Sequence, residues 1–584
     1  MIQIKLRNIL LFTIPIVFIY MIIYFGWKNK IDHHLFNTKV IISIVLTISI
    51  LHIFILFDKN IEKSYKSMIY FSFFILLIAL FFSFIRIILN HGKIQKDLKI
   101  YLFISLILYL LIQITYLMRI IYVKIHNPAF IFITSFVLLS LLGSILLMLP
   151  SSTKKNKISF IDALFTSTSA VCVTGLTVLD TEKDFTYSGK IIILTLVELG
   201  GLGILTITSF FSYFFKNGFS FKEAIYVSNF LNVKTTNNVL TLAVKVVLFT
   251  LTVEFIGAIL IYLSIKDKKI IGCDNPLFFS FFHSISSFCN SGFSILSQGL
   301  YSKSIRFNYF LQLIIAFLLI LGGIGFNILF NFFTYLWLTV KRCFYKIFRD
   351  EYFKYPIHII SLNTKIVIIT TFFLLFIGTI FFYINEYYYS LLEHHSFCGK
   401  WIAAFFSSAT SRTAGFHVLN MNVLSPVTIL FTIFLMWVGA SPGSTGGGIK
   451  TSTFSLALIN IISLSRGNNR LEIQRKEIPI ESIRLAFSII ILSLFVIYVG
   501  ILLIVFLDPE KNILSVVFEA FSAFSTTGLS LGITSSLSDK SKLILIFLML
   551  LGRIGIFNVM ISLLRNNKIH SHYYKYPKGY ILIN

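Results

Sequence analysis

Long apolar runs alternate with short polar gaps along the whole chain. Runs near the ~20 residues that cross a bilayer as a helix occupy 9–27, 40–57, 68–89, 101–123, 129–149, 191–215, 239–265, 307–340, 365–384, 427–464, 483–507 and 543–564. This pattern predicts twelve spans. Four further apolar stretches, 160–173, 277–289, 401–410 and 513–525, are too short to cross and read as re-entrant. Each leads through a Ser/Thr/Asn-rich cluster to a glycine: Gly175, Gly292, Gly415 and Gly528. Non-helical backbone at membrane depth is tolerated only where it is buried in protein or lines water. Four such segments in one chain point to a pore.

The four glycines lie 117, 123 and 113 residues apart. Their surroundings match: CVTGLT, CNSGFS, RTAGFH and STTGLS. The span after each carries a second small-residue cluster, at Gly200-Gly201, Gly322-Gly323, Gly439-Ala440 and Gly552. Close packing of membrane helices explains a glycine inside a span. It does not explain a half-span and a glycine recurring together at four equivalent places. The expected fold is therefore an all-α polytopic membrane protein with four span–pore loop–span repeats around one pore, plus four extra N-terminal spans. The expected units are 1–125 (extra spans), 126–235, 236–355, 356–480 (with an intramembrane gate loop) and 481–584 (with a cytoplasmic tail).

Composition excludes the main alternatives. The chain is 57% hydrophobic and 13% charged, against roughly 25% charged in soluble domains. The net charge of +26 lies in gaps between spans. That is a topology and lipid-contact pattern, and no nucleic-acid partner is expected. Five cysteines without a CxxC pair exclude a disulfide framework and disfavour a structural zinc site. The first span follows Lys5 and Arg7, but no small-residue cleavage site follows it, so it does not read as a signal peptide. No HExxH, GxSxG or kinase signature occurs, and the chain is not expected to be an enzyme.

A dehydrated cation needs oxygen ligands, and a glycine-containing loop can supply main-chain carbonyls. A short helix ahead of the loop turns its partially negative C-terminus toward the ion. The candidate filter residues are Val173, Thr174 and Gly175; Asn290, Ser291 and Gly292; Thr413, Ala414 and Gly415; and Thr526, Thr527 and Gly528. They include no carboxylate. Hard oxygens disfavour soft metals, so K⁺ leads among monovalent cations. The 427–464 run exceeds one straight span and is interrupted by SPGSTGGGIK. Glycines cost about 1 kcal/mol each in a helix interior, so an unwound segment is expected there.

The motifs TSTSAVCVTGL (166–176), FHSISSFCNSGFS (282–294), SLNTK (361–365), SSATSRTAGF (407–416), GASPGSTGGGIKTST (439–453), FSTTGLS (524–530) and GRIG (552–555) resemble the Trk/Ktr/HKT superfamily of K⁺ transporters. The resemblance is greatest to its KtrB/TrkH-like ion-translocating subunits and runs from about residue 129 to the C-terminus. It implies K⁺ uptake across the cytoplasmic (inner) membrane, a homodimer with one pore per subunit, and a cytoplasmic nucleotide-binding regulatory subunit (TrkA/KtrA-like). No covalent cofactor is implied. K⁺ is the transported ion, with Na⁺ as a coupling ion left open by the sequence. It also implies that Gly443, Ser444, Thr445, Gly446, Gly447, Gly448 and Lys450 form a gate below the filter, with Arg553 as a cation barrier. Glycine at all four filter positions resembles the K⁺-selective members; relatives with Ser at the first position favour Na⁺. Lys450 reads equally as a gate contact or as a helix end.

Other intramembrane charges are functional candidates by default. Arg412 adjoins the third filter strand and is expected to turn away toward Glu519, Glu198 or Asp162. Glu198 stands where relatives often carry a neutral polar residue. Glu254 reads as a structural hydrogen-bonding group rather than an ion site. His394, His395, His570 and His572 read as solvated surface. Lysines and arginines in the loops after each repeat number 17, against 15 on the other side. This slight bias puts both termini in the cytoplasm. Two other readings stay open: a gated monovalent-cation channel with weak K⁺/Na⁺ selectivity, and, more distantly, a non-conducting scaffold or enzyme on a degenerate pore fold.

Overall fold

The computed structural model describes residues 38–56, 128–154, 158–203, 239–266, 275–348, 360–468, 470–474, 476–556 and 559–560, with isolated positions at 70, 72–78, 80, 81, 105 and 109. Of the extra N-terminal spans, only α1 (Thr38–Leu56) is described as a whole helix. The first span and the C-terminal tail lie outside the described residues, as do His570 and His572.

From Pro128 onward one grouping recurs: a long helix, a short helix, then a second helix. The groups are α2 (Pro128–Leu147), α3 (Phe160–Val171) and α4 (Tyr187–Leu202); α5 (Val239–Ile265), α6 (Pro276–Phe288) and α7 (Tyr309–Ile324), continued by α8 (Phe326–Phe348); α9 (Leu362–Glu386), α10 (Phe397–Thr410) and α11 (Pro426–Trp437), continued by α12 (Thr451–Ser465); and α13 (Ile480–Leu507), α14 (Ile513–Phe524) and α15 (Asp539–Ile554). A two-residue hairpin (Glu472–Ile473 with Lys476–Glu477) separates α12 from α13. Among the described residues, Thr241–Ile265, Leu362–Glu386 and Ile480–Leu507 are long and apolar enough to cross a membrane alone.

The short helices start and stop for local reasons. Ser159 caps α3 by accepting from the Asp162 amide, and Asn275 caps α6 with Pro276 in the first turn. Ser396 and Asn512 cap α10 and α14. These side-chain acceptors satisfy amides that have no partner inside the helix. Their serines are buried and bonded outward. Ser167, Ser284 and Ser408 donate to the main-chain oxygens of Ser140 (2.7 Å), Glu254 (2.6 Å) and Leu375 (3.0 Å) on the preceding long helix. Three residues further along each long helix stands Gly143, Gly257 or Gly378, where a Cβ would strike that same hydroxyl. The fourth group has Ala520 at this position and packs Gly500 against Leu548 instead.

Each second helix also packs on the short helix of the next group: α4 on α6, α7 on α10, α11 on α14, and α15 back on α3. The contacts close a ring. Lys542 on α15 reinforces the closing contact by pairing with Asp162 of α3 at 2.7 Å.

The second helices do not run straight. The 307–340 run, expected as one span, is two helices bent by 106° at Gly325. α4 and α15 end likewise, at Gly203 and Gly555, and all three glycines have positive φ. A side chain is disfavoured in that conformation, which glycine adopts freely. The glycine clusters of these spans therefore mark chain breaks as well as close packing.

Candidate ion-conduction site

The short helices end at Cys172, Cys289, Ser411 and Ser525, and the strands that follow share one backbone geometry. Val173, Asn290, Thr413 and Thr526 have φ of 56°, 60°, 83° and 50°. Two residues on, Gly175, Gly292, Gly415 and Gly528 have φ of 87°, 69°, 77° and 85°. Three of the first set are β-branched, for which the left-handed region is a true outlier costing about 1–3 kcal/mol each. Alternating hand turns main-chain groups of one kind to one side of the strand.

The strands face one another in order. A Cβ on Gly175 would strike the Ser291 carbonyl oxygen, on Gly292 that of Ala414, on Gly415 that of Thr527, and on Gly528 that of Thr174. Four carbonyl-bearing strands thus close a ring, each too near its neighbour for a side chain. The hydroxyls of Thr174, Thr413 and Thr527 are buried without a protein partner. Such groups cost free energy unless something else supplies an interaction. The twelve candidate filter residues therefore lie together, and their oxygens suit a cation. Above them opens a vestibule of about 470 Å³, lined by the four glycines and by Asp180 and His417 among others.

Hydroxyls in the short helices brace the strands, a feature the sequence reading missed. Ser169 donates to the Leu176 oxygen (2.7 Å) and accepts from the Gly175 amide (3.1 Å). Ser286 and Thr410 donate to the oxygens of Phe293 (2.7 Å) and Phe416 (2.6 Å), and Ser522 accepts from the Gly528 amide (3.1 Å). The available signal was a Ser or Thr five or six residues before each glycine. His283 is also buried here, bonded to the Phe279 oxygen and the Ser294 hydroxyl at 2.9 Å each.

The broken segment between α11 and α12 lies against these strands. The Gly447 amide donates to Thr526 Oγ1 (2.9 Å), and a Cβ on Gly446 would strike Thr413 Oγ1. Helix C-termini leave carbonyls without partners, and this loop supplies some. Thr445 Oγ1 bonds the oxygens of Phe288 (3.3 Å) and Gly322 (3.2 Å), and the Ser441 amide bonds Gly323 (3.0 Å). Gly443 accepts from the Phe326 amide (3.1 Å), Ser444 donates to Ser441 (2.6 Å), and Gly448 takes positive φ. Lys450 Nζ reaches back to the Gly446 oxygen at 2.7 Å, so it is a contact of this loop. Arg553 lies in the last turn of α15, not in mid-helix. Its guanidinium donates to the Thr445 oxygen and to Gly200 (2.5 Å) and Gly201 (3.3 Å) at the end of α4. A cation at helix C-termini is favourable.

Other expectations need correction. Arg412 meets no carboxylate of the three expected; it donates to the oxygens of Thr371 (3.5 Å) and Gly439 (3.4 Å). Glu519 instead accepts from the Ser530 and Thr534 hydroxyls, and Asp162 holds Lys542. His394 is buried rather than solvated, set edge-on to Phe307 and bonded to the Tyr309 hydroxyl at 3.2 Å. Glu254, expected as a hydrogen-bonding group, does accept one, from Cys289, which also faces Glu198.

Comparison with known proteins accords with this architecture. The family model described as "TrkH: Cation transport protein" matches residues 98–571. The chain is 34% identical over 462 residues to the potassium/sodium uptake protein NtpJ of Enterococcus hirae, covering 78% of this chain and 97% of that one. It is 36% identical over 454 residues to the Ktr system potassium uptake protein B of Bacillus subtilis, covering 78% and 96%. The crystal structure of the potassium transporter TrkH from Vibrio parahaemolyticus superposes with a TM-score of 0.58 at 18% identity, over 90% of this chain and 97% of that one. That likeness bears on the fold alone.

Proposed function

Because the chain belongs to the TrkH cation-transport family, we propose that it takes up K⁺ through a single pore formed by four span–loop–span repeats. The observation that carries this reading is the ring of carbonyl-bearing strands, in which each filter glycine faces the carbonyl of the next repeat. Carbonyl oxygens replace the hydration shell of a monovalent cation without a fixed charge that would hold it too tightly. The orphaned threonine hydroxyls add neutral ligands. The 443–450 loop is the gate and Arg553 its latch, fastened to the loop at Thr445 and to α4. The chain works as a homodimer in the cytoplasmic membrane, with the tail inside and a cytoplasmic nucleotide-binding subunit controlling the gate. The boundaries at residues 125, 235, 355 and 480 separate the extra N-terminal spans and the four repeats.

Uptake of ⁸⁶Rb⁺ by K⁺-transport-deficient cells expressing the chain tests the reading, with and without external Na⁺ and with and without the regulatory subunit. Uptake is expected, and a Na⁺ requirement would mark coupling rather than plain conduction. Gly175→Ser is expected to lower K⁺ over Na⁺ preference. Unchanged selectivity in a folded Gly175→Ser protein would remove Gly175 from the filter. No flux under any condition would overturn the transport reading.

A further inference from the structure

Glu198 in the last turn of α4, Glu254 within α5 and Cys289 at the end of α6 are far apart in sequence, but α4, α5 and α6 bring them together. One donor atom from each lies within 4.8 Å of the other two. Cys289 Sγ is 3.6 Å from Glu198 Oε2 and 3.7 Å from Glu254 Oε1. With metal–sulfur and metal–oxygen bonds of about 2.3 and 2.0 Å, two ligands on a tetrahedron stand about 3.5 Å apart. The observed separations are close to that edge. One thiol proton can serve only one of the two carboxylates. The two carboxyls also face each other within hydrogen-bonding reach, and Glu198 Oε1 has no other protein partner. Cys289 and Glu254 are themselves buried, and a Cβ on Gly201 would press on the sulfur. The thiol is therefore confined beside both acids.

We propose that Glu198, Glu254 and Cys289 form a binding site for a borderline divalent cation of the Zn²⁺ class, behind the second filter strand. The thiol disfavours Mg²⁺ and Ca²⁺, and a mixed sulfur–oxygen set suits Zn²⁺. The cation would also engage the second Glu198 oxygen. Binding releases the thiol proton, and any proton shared by the two acids, to solvent; the two carboxylates and thiolate then carry three negative charges, a divalent ion leaves one, and Arg553 is within electrostatic reach of the thiol. Binding would tie the end of α6, one residue before Asn290, to α4 and α5. Sites of this kind are absent from the other short-helix ends among the described residues.

Cadmium titration of the purified full-length chain tests this, read by the ultraviolet thiolate-to-cadmium charge-transfer band and by retention of the ion through size exclusion. One cadmium per chain is expected. Cys289→Ser should abolish the band, whereas Cys172→Ser, at the equivalent helix end without the acids, should keep it. Glu198→Gln preserves shape and should weaken binding by about tenfold or more, since even outer-shell losses cost that much. Zn²⁺ should raise the melting temperature of the wild type more than that of Glu198→Gln at the same concentration. No band in the folded wild type, or a band unchanged in both Cys289→Ser and Glu198→Gln, would overturn the site. Neither readout depends on K⁺ flux, so failure here leaves the transport reading standing.

Discussion

At the scale of single residues, two side chains set testable energies. Arg553 fastens α15 to the 443–450 loop and to α4 through carbonyl oxygens. A fixed guanidinium charge beside an ion path repels a passing cation, and about 1 kcal/mol of added barrier slows passage about fivefold. Arg553→Ala is therefore expected to raise ⁸⁶Rb⁺ flux several-fold in proteoliposomes; flux at the wild-type level would remove Arg553 from the barrier. His394 carries a second prediction. Burial pushes its imidazole down to about 4, from about 6.5 unfolded. The native state thus resists a proton that the unfolded chain accepts. Stability is complete above about 6.5 and declines as pH falls from there toward 4. Thermal unfolding in detergent at pH 7 and pH 5 should show this decline, and His394→Gln should shrink it. Of the residue-level candidates, those marked by glycine were legible in the sequence. The partners of charged residues were not, because Arg412 takes main-chain oxygens that no side-chain pattern reports.

At the scale of elements, each of the first three short helices is held to its long helix by a serine over a glycine. The glycine makes room, and the serine hydroxyl satisfies itself on a carbonyl three residues earlier. Gly257→Ala places a methyl 2.5 Å from Ser284 Oγ and 2.9 Å from Leu318 Cδ1. Overpacking of this kind costs about 1–3 kcal/mol. A lowered melting temperature is expected, with partial recovery in the Gly257→Ala/Ser284→Ala double variant because one of the two collisions is gone. Independent, additive effects would show that the two residues do not share the contact. The short helices were legible because their length and caps are local. The bend at Gly325 was not, since apolar periodicity continues through it and only the backbone angle reveals the break.

At the scale of the molecule, the ring closes where α15 returns to α3. Lys542 and Asp162 meet there with side chains only 9% and 20% exposed. Removing one partner leaves a poorly solvated charge, at a cost between that of an exposed pair and a buried one, about 1–3 kcal/mol. Lys542→Met should lower the melting temperature, and adding Asp162→Asn should restore part of the loss. A loss that the second change does not relieve would mean that Lys542 acts by packing alone.

The sequence by itself determined what depends on neighbours along the chain. Apolar run length set the membrane class, Ser and Asn caps set the short helices, and glycine recurrence marked the four strands that follow them and the broken helix after Trp437. Only the tertiary structure decided which carbonyl faces which glycine, where Arg412 and Arg553 find acceptors, and that Glu198, Glu254 and Cys289 share one place. Those contacts join residues tens to hundreds of positions apart, and their energies come from burial and geometry that exist only once the ring has closed.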